Sequence, residues 1–443
     1  MKSSRLLAME ILLAWEKSLE PLDQVLENGV AGKGSVDPRD RQLVMAMVYG
    51  VVRWQGYLDA TISGSSTHPL KKMKPLTRAA LRVGVYQLLF MDRIPESAAI
   101  NETVQALKRA GQPKWLTGFL NGLLRTIARR KASLPAPDDA AAVLSHPEWL
   151  VERWREQFGA ERTVRICAAN NLLPPLVLRI NTARVPVEEY LRLLRDNGME
   201  CERGRFAQEA VRLPAFRGNV ADLPGYGDGF FQVQDEAAQL VTQLLAPFAC
   251  GAYLDACAGL GGKTLHLAQL VSEGAHLVAV EPSEKRRVLL QDNFCRLGYK
   301  TPELYPGTLQ QFAEQCQDRF KGILVDAPCS GLGVIRRQPD IRWSSSFEGL
   351  QRNQARQREL LATAAGLLEK GGVLVYATCS TDPLENDEVI RAFMQEHPEF
   401  LLTQARDYLP PAAHFLVDAA GCFRTTPEQG LDGFFAARMI RKG

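Results

Sequence analysis

Two stretches of the chain share one design. Ile323-Leu324-Val325-Asp326-Ala327-Pro328-Cys329-Ser330 and Gly371-Gly372-Val373-Leu374-Val375-Tyr376-Ala377-Thr378-Cys379-Ser380 are short apolar runs that break into small polar turns, each carrying a thiol. Apolar runs too short for a helix predict buried parallel strands. Cys329, Cys379 and Asp326 then stand at carboxyl ends of strands, where open α/β sheets bind ligands. A thiolate in such a crevice suits covalent catalysis, and a nearby carboxyl group suits stabilising charge or moving a proton. One reaction needs this set. Carbon 5 of cytosine is too weakly nucleophilic to attack a sulfonium methyl until a thiolate adds at carbon 6 and makes it an enamine carbon. Afterwards the carbon 5 proton must leave and the sulfur must be eliminated. The residue types alone do not rank the two cysteines. Cys167, Cys201, Cys250, Cys295, Cys316 and Cys422 are expected to be small apolar fillers.

A methyl donor would need a cradle, and Tyr253-Leu254-Asp255-Ala256-Cys257-Ala258-Gly259-Leu260-Gly261-Gly262-Lys263-Thr264 predicts strand, tight loop and helix. Gly262-Lys263-Thr264 fits the end of a phosphate-binding loop, but Cys257 occupies the place of its first glycine. Gly259 and Gly261 fit the start of a dinucleotide fingerprint, but Thr264 stands where the third glycine belongs. S-adenosylmethionine remains: its methionine portion requires close backbone approach, and its ribose requires a carboxylate at the next strand end. Glu281 closes the run Leu277-Val278-Ala279-Val280 and supplies it.

The elements that must hold these groups follow in order. The chain has 443 residues, enough for two or three domains, with 46% hydrophobic and 8% aromatic content for real cores. Up to about Arg130, apolar residues recur at helical spacing over Ser4–17, Pro38–58, Leu76–90, Ala98–109 and Lys114–130. Basic residues gather at Lys71, Lys72, Lys74, Arg78 and Arg82 and at Arg125, Arg129, Arg130 and Lys131, either as a solvated face or as a phosphate-contacting patch. Ala132–142, with Pro135, Pro137, Asp138 and Asp139, reads as a linker. From His146 a helical stretch leads into a βαββ pattern through Leu176–181, Val187–197, Cys201 and Val211–213. There Asn170, Asn171, Arg179 and Asn181 either close turns or guide a polynucleotide. From Phe230 strands and helices alternate to a closing run Gly433–439, the pattern of a doubly wound sheet with a last antiparallel strand. The expected domains are 1–131, all-helical; 132–145, linker; 146–228, small α+β; and 229–443, Rossmann-like α/β.

The bulk numbers exclude several classes. No window approaches the ~20 apolar residues of a membrane span, and Met1–19 carries Glu10, Glu16 and Lys17 within its helical pattern rather than a signal. Nine cysteines without framework spacing predict a reducing, cytoplasmic setting, and neither a C-x-x-C nor a Cys/His cluster suggests a metal. The net charge of +3 leaves nucleic-acid binding to local patches.

Motif phrases add two resemblances. Val48-Tyr49-Gly50-Val51-Val52-Arg53, Gly84-Val85-Tyr86-Gln87, Ile94-Pro95 with Asn101-Glu102, and Gly118-Phe119-Leu120-Asn121-Gly122-Leu123-Leu124-Arg125 resemble the RNA-binding fold of the antitermination factor NusB. Asp326 to Gly331 continuing to Trp343, Ala377-Thr378-Cys379-Ser380 followed by Glu385-Asn386, and Asp432-Gly433-Phe434-Phe435 resemble the Sun-type RNA (cytosine-5)-methyltransferases, over nearly the whole chain. The resemblance implies a class I S-adenosylmethionine-dependent methyltransferase fold. Within it, Cys379 is the nucleophile, Cys329 assists product release, Asp326 lies near cofactor and target base, and Lys263 orients the cytosine or Asp326. It matches Cys257, Ala258, Gly259, Leu260, Gly261, Gly262 and Lys263 to the cofactor loop. Three departures stand out: Gly259-Leu260 replaces Ala-Pro, Glu281 replaces the usual Asp, and Thr308 replaces an Asp facing the adenine amine. Arg336, Arg337 and Arg342 are natural phosphate or base contacts. Taken together, the residues and the resemblance predict a monomeric, metal-free enzyme with no obligate protein partner, acting on an unpaired cytosine of 16S rRNA. Methylation of tRNA or 23S rRNA, or an RNA-binding assembly or antitermination factor with a decayed methylase domain, are the rivals.

Overall fold

The amphipathic stretches at the front of the chain fold as helices with recognisable punctuation. The computed structural model describes residues 3–18, 20–31, 37–134, 139–248, 250–272 and 274–443, in two compact units. The first unites Met1–Leu172 with a distant segment, Ile335–Ser344. Its helices are α1 (Ser4–Lys17), α2 (Leu22–Ala31), α3 (Pro38–Arg53), α4 (Gln55–Ser63), α5 (Pro75–Phe90), α6 (Glu96–Arg109), α7 (Lys114–Arg130), α8 (Asp139–Leu144), α9 (Glu148–Phe158) and α10 (Ala160–Asn171). Ser3 and Asp37 cap α1 and α3 through their side chains. Helix α5 is the hub: Ala79, Ala80, Leu81, Val83, Val85 and Leu88 are buried, and α1, α3, α4, α6 and α7 pack around it.

Several expectations change here. The helix expected over Pro38–58 is two, parting at Trp54, whose ring stacks on Phe90 at 4.9 Å. Helix α2 was not anticipated, since Asn28-Gly29 is a turn signal that packing overrides. Pro135, Pro137 and Asp138 of the expected linker lie outside the described residues, and α8, which follows them, packs on α10. Helices α9 and α10, expected to open the small α+β region, group with the first unit.

Several arginines read as possible phosphate contacts are buried or paired within the protein. Arg82 is buried and paired with Asp59 (2.7 Å) and Glu16 (2.6 Å), and Arg78 pairs with Glu16 (3.2 Å). Arg342 is fully buried in the first unit, where it donates to the carbonyls of Ser145 (2.9 Å), Arg53 (3.2 Å) and Asn170 (3.3 Å) and to Asn171 Oδ1 (2.6 Å). Asp340 accepts from the Leu22 amide (3.0 Å) at the start of α2, and Trp343 Nε1 donates to the Val52 carbonyl (2.9 Å). Arg336 is buried too. Asp340, Arg342 and Trp343 tie 335–344 to the helices, and the burial of Arg336 and Arg342 corrects their reading as nucleic-acid contacts. Arg342→Ala strands several buried acceptors and should destabilise this unit by ~3 kcal/mol or more. An unchanged urea midpoint of tryptophan fluorescence would contradict this.

The second unit carries two sheets. The smaller has order β2-β3-β1-β4, all antiparallel, with β1 (Leu176–Ile180), β2 (Glu202–Arg203), β3 (Ala210–Leu213) and β4 (Phe231–Val233). Strand β4, read from sequence as the start of the α/β region, pairs instead with β1. Alternation along β1 sends Leu178 and Ile180 into a core with α11 (Val187–Asp196), and Val177 and Arg179 to the opposite face.

The larger sheet runs β10-β12-β9-β8-β5-β6-β7, with β11 beside β12. Its strands are β5 (Ala252–Asp255), β6 (His276–Val280), β7 (Glu303–Tyr305), β8 (Phe320–Asp326), β9 (Leu368–Thr378), β10 (Phe400–Leu402), β11 (Phe423–Arg424) and β12 (Phe435–Arg441). Strands β5 to β9 pair in parallel, and β12 runs antiparallel to β9. Both faces of the inner strands are covered, which is why Ile323 to Val325 and Leu374 to Ala377 read as unbroken apolar runs. Helices α12 (Glu236–Gln243), α13 (Gly262–Leu270), α14 (Glu284–Leu297), α15 (Leu309–Gln315), α17 (Phe347–Leu367) and α18 (Asp387–Glu396) complete the unit, and α16 (Ile341–Ser344) lies in the first. The chain order reverses between β5 and β8, so the crevice for ligands opens where Asp255 and Asp326 end their strands.

Candidate active site

Register alone brings the two thiol turns together. Asp326 pairs with Ala377, so the turns after β8 and β9 leave the sheet side by side. They are then stitched: the Ala327 amide donates to the Ala377 carbonyl (2.8 Å) and the Gly333 amide to the Cys379 carbonyl (2.9 Å). The result is a sulfur–sulfur distance of 3.3 Å between Cys329 and Cys379. A buried carboxylate sets the first turn. Glu385 accepts from the Ser330 amide (2.8 Å), from the Ser330 hydroxyl, and from Asn353 Nδ2 (2.9 Å) and Gln357 Nε2 (3.2 Å) of α17. The second turn is set by Asn386, which accepts from Thr378 Oγ1 (2.6 Å) and donates to the Ser380 carbonyl (2.9 Å). A third brace comes from the end of the chain, where the Gly433 amide donates to the Gly333 carbonyl (2.7 Å). A Cβ on Gly333 would sit 2.0 Å from the Gly433 carbonyl oxygen, so no larger residue fits this crossing.

The sulfurs differ electrostatically. The Cys329 thiol is pushed well above the ordinary range, first by its hydrogen bond to the Cys379 sulfur, then by burial, then by negative charge on Cys379 and Glu385. These influences keep the proton on Cys329.

Across the crevice, Lys263 in the first turn of α13 pairs with Asp326 at 2.7 Å and lies 4.9 Å from the centre of the Phe434 ring. Burial lowers the Lys263 pKa, but Asp326, Cys379 and Asp255 outweigh it, and the ammonium stays charged. Asp255 is buried and accepts from Thr264 Oγ1 (2.7 Å) and the Cys257 amide (3.2 Å), and burial pushes its carboxyl up to about 6 despite these bonds.

The loop between β5 and α13 fits a donor that lies against backbone. Gly259 and Gly261 have φ of +56° and +84°, which L side chains rarely adopt, and nothing lies within 4 Å of the place a Cβ on Gly259 would take. That conformation accounts for the departure at Gly259. Leu260 is 53% exposed, and nothing in the structure explains it. The Ala258 amide donates to the Val280 carbonyl (3.0 Å), tying the loop to β6. Glu281, just beyond β6, is buried with one oxygen held by the Ser283 amide (2.7 Å) and Arg286 at 3.8 Å. Thr308 forms the N-cap of α15, accepting from the Gln311 amide (3.3 Å) while its own amide donates to Gln311 Oε1 (2.9 Å).

Sequence reasoning passed over Asp255, Asn353 and Gln357, and it quoted Glu385 only as part of a motif. A carboxylate at a strand end was the available signal for Asp255. The partnership of Glu385 with α17 is a long-range contact without one. Two presumed fillers, Cys250 and Cys295, are exposed, while Cys167 and Cys422 are buried. Among the described residues no helix is long and apolar enough to cross a membrane.

Comparison with known proteins gives three matched regions. Residues 242–440 match 16S rRNA methyltransferase RsmB/F, residues 2–129 match the NusB family, and residues 146–218 match the ferredoxin-like domain of RsmF/B-like methyltransferases. The probable ribosomal RNA small subunit methyltransferase B of Bacillus subtilis is 34% identical over 100% of this chain and 99% of its own. The ribosomal RNA small subunit methyltransferase B of Pseudomonas syringae pv. tomato is 38% identical over 92% and 90%. Among solved structures, PH0851 superposes with a TM-score of 0.79 at 25% identity, covering 99% of this chain and 98% of that one. A methyltransferase homologue from Pyrococcus horikoshii gives 0.59 at 26% identity, covering 70% and 100%.

Proposed function

The chain belongs to the RsmB/F family of 16S rRNA methyltransferases, and we propose that it methylates carbon 5 of one cytosine in 16S rRNA through a transient Cys379–carbon 6 bond. The observation that carries this reading is the 3.3 Å approach of two thiols at adjacent strand ends, in the unit that also holds the Lys263–Asp326 pair. S-adenosylmethionine supplies the electrophilic methyl group. Gly259, Gly261 and the loop from Cys257 to Lys263 hold its methionine portion, Glu281 its ribose, and Thr308 its adenine edge. An unpaired cytosine enters with carbon 6 toward Cys379, while Asp326, held in place by Lys263, faces the polar edge of the ring and stabilises charge developing there.

The order of events follows from the two sulfurs. Cys329 keeps its proton, and Cys379, 3.3 Å away, is the sulfur assigned to attack. Once Cys379 is bonded to carbon 6 it carries no charge, and two of the influences that raised the Cys329 pKa disappear. Cys329 can then release its proton to solvent and, as the thiolate, take the carbon 5 proton; the electron pair of that C–H bond re-forms the ring double bond and expels the Cys379 sulfur from carbon 6 as a thiolate. One residue thus holds a proton before methyl transfer and serves as base after it. The helical front domain and the small sheet guide the RNA, and the protein acts in the cytoplasm as a monomer.

Purified protein, labelled S-adenosylmethionine and 16S rRNA should give one cytosine resistant to bisulfite conversion. Label on a ring nitrogen or a ribose, or on tRNA alone, would contradict the proposal. The Thr308 departure gives a second test. Aspartate is as good an N-cap as threonine, so Thr308→Asp keeps the α15 cap and adds a charged acceptor for the adenine amine. Binding of S-adenosylmethionine should tighten by ~1 kcal/mol, read by calorimetry, and an unchanged affinity would contradict the assignment of Thr308.

A further inference from the structure

Arg179 sits on β1 of the small sheet, on the face turned away from that sheet's own core, and is 1% exposed. It cannot meet a phosphate from there. Its Nη1 instead donates to Gln234 Oε1 and, at 2.9 Å, to the carbonyl of Gly262. Gly262 opens α13, and the next residue is Lys263, whose ammonium holds Asp326 at 2.7 Å. The same strand grips the helix again at its far end, where Gln269 Nε2 donates to the Ile180 carbonyl (3.2 Å). Helix α13 is therefore pinned to β1 at both ends.

The surroundings hold a buried cation at a cost. His266, one turn along α13, is buried against Glu209 (3.2 Å), and burial with the nearby Arg179 charge lowers it to about 4, so it stays neutral beside the guanidinium. Burial costs the Arg179 charge as well, bringing it down to about 10, with Glu209 opposing. Its Nε and Nη2 have no hydrogen-bond partner. A group held at such cost is poorly explained by stability alone, because an apolar residue of similar volume would pack at least as well.

We propose that Arg179 is a positioning residue of methyl transfer: from the small sheet it fixes the Gly262 carbonyl and thereby the cofactor loop and the Lys263–Asp326 pair. Through this residue the small sheet also serves the donor side of the reaction. This rests on the use of S-adenosylmethionine proposed above.

The test compares wild-type protein with Arg179→Met and Arg179→Lys. S-adenosylmethionine binding is measured by calorimetry, 16S rRNA binding by fluorescence anisotropy, and single-turnover methyl transfer at saturating concentrations of both. Arg179→Met should weaken the cofactor about 10-fold and slow methyl transfer by about a further 10-fold or more, with RNA affinity within about twofold. Arg179→Lys, which can still donate to the Gly262 carbonyl, should recover part of both losses. Lost RNA affinity with unchanged cofactor affinity would overturn the inference in favour of an RNA contact. Unchanged values throughout would overturn it outright. Should Arg179→Met fail to fold cooperatively, Gln234→Leu removes the acceptor that aims the guanidinium. It should weaken the cofactor about threefold with RNA binding intact, and no change would count against the inference equally. A wild-type protein that binds no S-adenosylmethionine would sink the proposed function itself, whereas equal binding by wild type and variants sinks only the role of Arg179.

Discussion

Cys379→Ala should abolish methylation of 16S rRNA, lowering the rate by ~10⁴-fold or more, the scale on which covalent enzymes lose activity with their nucleophile. The expected loss is in the chemical step: S-adenosylmethionine and RNA affinities should stay close to wild type. The cofactor loop lies between β5 and α13 and takes its shape from Gly259, Gly261 and the tie to Val280, none of which involves Cys379. The Cys379 side chain supports little else, since the turn carrying it is braced through Thr378, Ser380 and Asn386. Single-turnover kinetics with labelled cofactor reads this directly. Full turnover by the variant would reverse the assignment of the two sulfurs.

The partner substitution should fail differently. Cys329→Ala leaves Cys379 able to attack and the methyl able to move, but removes the group placed to take the carbon 5 proton. The expected product is a covalent protein–RNA species that accumulates with S-adenosylmethionine present and resists denaturing electrophoresis, with turnover reduced by ~10²-fold or more. Release of methylated RNA at the wild-type rate, without an adduct, would show that another base does this work. Glu385 gives no reason to expect that: it is buried and saturated by Ser330, Asn353 and Gln357.

The parts of this site legible in the sequence are those carried by local pattern. An apolar run ending in a thiol turn is a property of about ten consecutive residues, and the parallel sheet that covers both of its faces is why the run is unbroken. Helix periodicity placed α5, α6 and α7 within two residues, because each buries a continuous stripe. What stayed hidden depends on partners far along the chain. Arg82, Arg179, Arg336 and Arg342 read as basic residues available to nucleic acid, yet each is buried. Periodicity reports where a side chain stands on its own element but not whether a carboxylate or carbonyl waits opposite. Strand β4 went to the wrong sheet for a related reason: three residues can pair with either neighbour, and only the register with β1 decides. The segment 335–344 belongs with helices more than 160 residues upstream, and nothing local announces that.

The most direct measurement uses 16S rRNA in which cytidine is replaced by 5-fluorocytidine, because fluorine at carbon 5 cannot leave as a proton does and the adduct cannot resolve. Incubated with wild-type protein and S-adenosylmethionine, then digested and sequenced by mass spectrometry, the complex should show a methylated fluorocytidine on the peptide containing Cys379. Attachment at Cys329, or methylation of unsubstituted RNA with no trapped species from the substituted RNA, would contradict the account.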